Sequence, residues 1–189
     1  VGPGTYREML TCDVGGSDGS PITYIGDYDG SHTDGVGGIV RVTASNDDKV
    51  VARNLVLDMN GKAYRTFEGF ALDGTGGINS IIWLYGSDVD HLTIRKCTFN
   101  GWGGTAIKAY QTANLTNMLV ENCIATNCNY FYDDGEVQDN SGNVIQNCLF
   151  FANSSYVINT KSGGFTVKNC SFYGANRCVN VSSSLNAGQ

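Results

Sequence analysis

The chain has 189 residues, the size of one domain, and its 25 glycines, 2 prolines and 16% charged residues point to turns and strands rather than helices. Eighteen acidic against 12 basic side chains leave a net charge of −6, which argues against a nucleic-acid partner, since that would want clustered Lys and Arg. No apolar run nears the roughly 18 residues of a spanning helix, and no signal or lipidation motif is recognisable, so no membrane is expected.

In chain order, Gly2-Pro3-Gly4-Thr5-Tyr6-Arg7-Glu8 opens a strand that runs through Leu10, and Ser20-Pro21-Ile22-Thr23-Tyr24-Ile25-Gly26 follows it. The next loop carries Asp27, Asp29 and Asp34. Three such carboxylates can hold Ca2+, but the full ligand pattern is missing and a surface turn is the plainer reading. Strands are expected at 39–43, 54–57 and 65–72, with a polar turn at 45–49. We read 1–189 as a single domain, irregular over 1–64 and regular over 65–181.

From there one phrase recurs. It reads Ile94-Arg95-Lys96-Cys97-Thr98-Phe99, then Val120-Glu121-Asn122-Cys123-Ile124-Ala125, Ile145-Gln146-Asn147-Cys148-Leu149-Phe150 and Val167-Lys168-Asn169-Cys170-Ser171-Phe172. The cysteines lie 26, 25 and 22 residues apart, and Phe67-Glu68-Gly69-Phe70-Ala71-Leu72 fits the same frame with Phe70 in the cysteine place. A second strand echoes after each phrase, around Ile82, Ile107, Phe131, Val157 and Val179. A unit of two short strands cannot bury its own apolar face, so successive units must stack, which predicts a parallel β-solenoid of about seven coils.

Stacking makes columns. Cys97, Cys123, Cys148 and Cys170 form one interior column, read as free thiols that pack as small hydrophobes. The alternative pairs Cys123 with Cys128, or Cys170 with Cys178; seven cysteines leave one over in any case. No C-x-x-C occurs and His32 and His91 are far apart, so a metal site is not expected.

In the second-strand column, Ile82, Ile107, Phe131, Val157 and Val179 are taken as inward. Alternation then sends Trp83, Tyr85, Lys108, Tyr110, Tyr130, Tyr132, Asp134, Tyr156, Ile158 and Thr160 outward. An aromatic wall of that extent calls for a covering partner, either a neighbouring subunit or a glycan.

The opening phrase, the segment 20–26 and the four later repeats resemble right-handed parallel β-helix proteins of the pectin-lyase-like superfamily, among them chondroitinase-B-like, alginate-lyase-like and virion-associated members. The resemblance spans nearly the whole chain and implies an all-β, right-handed parallel β-helix. It also implies that the chain is an excerpt of a longer protein or has its ends covered, because an earlier strand and a capping helix usually precede the opening phrase. A lyase on this scaffold would need a base, for which Lys108, Lys161 and Arg177 are candidates, and a Ca2+ site, for which Asp133, Asp134 and Glu136 are candidates. The W-x-D-H and R-x-P-x-x-R phrases of pectate lyases are missing, as are the G-H-G and R-I-K phrases of polygalacturonase-type hydrolases. The expectation is therefore a non-catalytic structural and adhesive element of an extracellular or virion-surface protein. It would self-associate as a homo-oligomer such as a trimer, or within a larger assembly, touch polysaccharide, and use no obligatory cofactor. The alternative is a secreted Ca2+-dependent polysaccharide lyase acting on a uronate polymer.

Overall fold

The computed structural model describes residues 1–45, 53–75, 78–101, 103–110, 114–135, 137, 139–151, 155–161 and 164–181. Every regular element among them is a β-strand, and none is a helix long and apolar enough to cross a membrane. The strands form three long parallel sheets that the chain visits in rotation. The first holds Ile22–Ile25, Arg65–Glu68, Leu92–Arg95, Leu119–Glu121, Asn143–Gln146 and Phe165–Lys168. The second holds Gly4–Arg7, Val40–Thr43, Phe70–Asp73, Thr98–Asn100, Ile124–Thr126, Leu149–Phe151 and Ser171–Tyr173. The third holds Leu10–Thr11, Leu57–Asp58, Ser80–Tyr85, Thr105–Tyr110, Tyr130–Asp133, Tyr156–Thr160 and Arg177–Val181.

This is a parallel β-solenoid, as the repeats predicted. Between Arg65 and Phe165 it makes four regular turns. The earlier rungs are short and separated by long connections, so the expected seven coils exceed the regular ones. Each regular unit holds three principal strands, not two. The phrase around each cysteine is itself two strands bent at one residue, and the strand expected over 65–72 divides at Gly69 in the same way. That corner residue has positive φ throughout: Gly69 (77°), Lys96 (53°), Asn122 (54°), Asn147 (54°) and Asn169 (53°). Asparagine tolerates this left-handed conformation better than most residues, which explains its recurrence before the cysteine. Gly69 is doubly constrained, because a Cβ there would come within 2.5 Å of the Gly26 carbonyl oxygen.

The lumen is filled by columns. Phe67, Ile94, Val120, Ile145 and Val167 pair rung to rung in the first sheet, with Tyr24 stacked on Phe67 at their head. Val42, Leu72, Phe99, Ala125, Phe150 and Phe172 do the same in the second. Cys97, Cys123 and Cys148 are buried in line with Phe70, while Cys170 is half-buried; all seven cysteines are free thiols, so neither disulfide alternative holds. Each thiol of the column lies 3.7–3.9 Å from a carbonyl oxygen of the preceding rung, on Phe67, Ile94, Val120 or Ile145. Burial pushes the Cys97 thiol up to about 11 and Cys128 to about 12, so neither is a nucleophile at neutral pH.

The aspartate-rich loop of 27–35 is closed on itself. Buried Asp27 accepts from the His32 N–H and the Thr33 hydroxyl, Asp29 from Ser31, and Asp34 from the Val36 N–H. Most of the turn expected at 45–49, together with the C-terminal 182–189, lies outside the described residues.

Two consequences are measurable. Asn122 is exposed, so Asn122→Val removes no packing, yet it forces a β-branched residue into left-handed φ; a loss of about 1–2 kcal/mol in urea unfolding is expected, and Asn122→Gly should be within a few tenths of wild type. Cys148→Phe overpacks the thiol column and should cost about 1–3 kcal/mol, while mass spectrometry of the native protein should find all four column cysteines alkylatable after unfolding without reductant.

Candidate functional site

The outer face of the third sheet concentrates the side chains capable of recognition. One outward column runs Asp58, Trp83, Lys108, Asp133, Asn159 and Asn180, one residue per rung. Rungs repeat at about 4.8 Å, so these groups form a stripe along the solenoid axis. Beside it Tyr85 and Tyr110 pair across two rungs, their rings stacked at 6.4 Å. Trp83 lies 6.0 Å from both tyrosine rings. The Lys108 ammonium sits 5.6 Å from the Trp83 ring centroid and 5.7 Å from that of Tyr110, a double cation–π arrangement.

Further along, Asp133 accepts from the Asn159 amide at 2.7 Å, and Asn159 accepts from Asn180 at 2.7 Å. On the other flank Tyr130 stacks on Tyr156 at 6.2 Å, and Arg177 lies over Tyr156 while donating to its hydroxyl. Lys108, Asp133, Tyr130 and Thr105, with the Gly103–Gly104 backbone, line a shallow groove of about 360 Å³.

Several expected positions need correction. Tyr132 and Asp134 do not face outward; both are fully buried, as are Ile158 and Thr160. Strict alternation fails because four successive third-sheet strands send two adjacent side chains inward: Ile81 and Ile82, Ala106 and Ile107, Phe131 and Tyr132, Val157 and Ile158. Tyr132 therefore pairs with Ile107, and Ile158 with Val179, which keeps its column but is 44% exposed at the last described rung. The wall divides into two aromatic clusters separated by the polar stripe. Asn159 and Asn180 were missed, although a polar residue follows the inward one in Tyr132-Asp133, Ile158-Asn159 and Val179-Asn180.

The lyase constellation is not assembled. Lys161 donates its ammonium to the Gly135 carbonyl, and Arg177 is engaged with Tyr156. Asp133 faces out and Asp134 faces in, so the two cannot share a cation; Glu136 lies outside the described residues. Among the described residues no group of carboxylates, histidines or cysteines is disposed to hold a metal ion.

Asp134 instead anchors an interior network. Its carboxylate accepts from Thr160 Oγ1 at 2.6 Å, from the Lys161 N–H at 2.6 Å and from the Asn140 amide. Asn140 Oδ1 accepts from Tyr132 at 3.2 Å and from Asn143 at 2.9 Å, and Asn143 satisfies the Leu115 carbonyl and the Met118 N–H. These bonds hold Asp134, Asn140 and Asn143 together against the lumen. Burial outweighs the three donors and pushes Asp134 up to about 6.

The geometry thus defines a β-solenoid carrying an aromatic and polar stripe on one outer face. Residues 57–187 match the family described as right handed beta helix region, so the chain belongs to the right-handed β-helix family. No curated protein and no solved structure matches it.

The pH dependence of Asp134 has a definite sign. The folded protein holds the proton more tightly than the unfolded chain does, so stability falls as pH rises from about 4 through about 6. Relative to Asp134→Asn, wild-type stability in urea should drop by on the order of 2–3 kcal/mol across that window. A constant difference between the two proteins would refute this environment for the carboxyl.

Proposed function

We propose that this chain is a non-catalytic, structural and adhesive β-helix of an extracellular or virion-surface protein, and that the outer face of its third sheet contacts a glycan. The opening phrase and cysteine repeats support placing it nearest the pectin-lyase-like superfamily within the right-handed β-helices. The observation that carries the reading is the Lys108 ammonium set against both the Trp83 and Tyr110 rings, one rung from Asp133. Rings offer flat apolar surfaces to the C–H faces of a sugar, and the adjacent ammonium, carboxylate and amides suit its hydroxyl and acidic groups. Division of the aromatic wall by the stripe of Asp133, Asn159 and Asn180 favours this use over a continuous subunit interface, whose centre would be apolar.

The test is titration calorimetry with alginate, a uronate polymer, and with a neutral β-glucan. Trp83→Ala should weaken both by about tenfold or more, some 1.4 kcal/mol, with the oligomeric state unchanged. Lys108→Gln should weaken the uronate polymer selectively. If Trp83→Ala instead breaks an assembly and leaves glycan binding intact, the face is a subunit interface. An unsaturated product absorbing in the ultraviolet, abolished by Lys108→Ala, would make the protein a lyase.

A further inference from the structure

The N-terminal part of the lumen contains a cavity of about 290 Å³, near the low end of the roughly 300–1,000 Å³ typical of small-molecule pockets. Leu10, Val42, Leu57, Phe67, Phe70 and Leu72 make its lining apolar. Cys12 and Tyr24 also line it, and Glu8 contributes an exposed carboxylate at the rim.

Arg65 stands behind Tyr24, a lining residue, and is not itself part of the lining. Its Nη1 donates to the Tyr24 hydroxyl at 2.6 Å, and its Cζ lies 5.5 Å from the Tyr24 ring centroid. The side chain is only 1% exposed, its Nε–H has no acceptor, and it makes no ion pair among the described residues. Its charge is felt at Cys12, whose thiol is raised by burial and drawn partly back by Arg65. A buried guanidinium with an idle donor and no counterion is energetically unfavourable, and an anion would offset that cost. The rungs below avoid the problem: Leu92 occupies the place of Arg65 on the next rung of the first sheet.

We propose that this cavity binds a small amphipathic carboxylate, with its hydrocarbon tail among Leu57, Phe70 and Leu72 and its head group toward Arg65 and the Tyr24 hydroxyl. Charge complementarity selects the head, and the apolar lining selects the tail. The site opens at the N-terminal end of the solenoid and uses none of the outward side chains of the third-sheet stripe.

Octanoate and octanol are the probes, since they share a tail and differ in head-group charge. Titrated into the full chain and followed by amide chemical shifts, octanoate should bind at least about tenfold more tightly than octanol. Arg65→Met removes the charge at similar length; it should stay folded by circular dichroism, retain octanol binding and lose the preference for octanoate. Leu10→Trp should fill the cavity and abolish binding of both. Equal affinity for the two probes, no binding of either, or an octanoate preference that survives Arg65→Met overturns the proposal.

Discussion

Everything in this protein depends on a corner made by one residue in a conformation that most side chains avoid. At Gly69, Lys96, Asn122, Asn147 and Asn169 the chain adopts positive φ, turning from the first sheet to the second. Without that bend the phrase around each cysteine would run on as one strand, and the lumen would not close. With it, the residue after the corner always enters the same column, where Phe70 and four cysteines stand in line. Local strain of about 1–2 kcal/mol at a non-glycine corner is small against the burial of several apolar side chains per rung.

Because every rung pairs in parallel with the next, register propagates. The pairing of Phe67 with Ile94 sets that of Ile94 with Val120, and so down to Val167. No disulfide is needed to hold the series, as the seven free thiols attest. The polar exceptions inside the lumen are of two kinds. The Asp134, Asn140, Asn143 and Thr160 group satisfies its own hydrogen bonds and fixes a loop. Arg65 Nε and the Ser80 hydroxyl are left without partners.

The interior columns of the first two sheets were legible in the sequence because their strands alternate faithfully around a recurring Asn-Cys pair, but the corner that divides each phrase between two sheets was not. Nor was the third sheet. Four of its strands place two consecutive side chains inward, so alternation counted from the first of the pair differs by one residue from alternation counted from the second. Ile82 and Ile107 are the second of their pairs and mark the outward neighbours correctly; Phe131 is the first of its pair, and counting from it sends Tyr132 and Asp134 to the wrong face. The aromatic cluster of Trp83, Tyr85 and Tyr110 survived because it lies on rungs where the chosen parity was right. Its polar continuation at Asn159 was hidden by the shift on that rung, whereas Asn180 follows the correctly placed Val179.

The corner between the first and second sheets keeps the same register through every regular turn, with one residue at positive φ and the next in the thiol column, so neither insertion nor deletion is tolerated there without moving a whole column. The differences among the turns fall in the other two connections: from the second sheet to the third, and from the third back to the first. Both border the third sheet. The unequal lengths of the coils therefore fall on either side of the face that carries Trp83, Lys108 and Asp133. The scaffold confines the differences among its own turns to the banks of that stripe, so that the surroundings of the stripe can vary while the lumen keeps one plan.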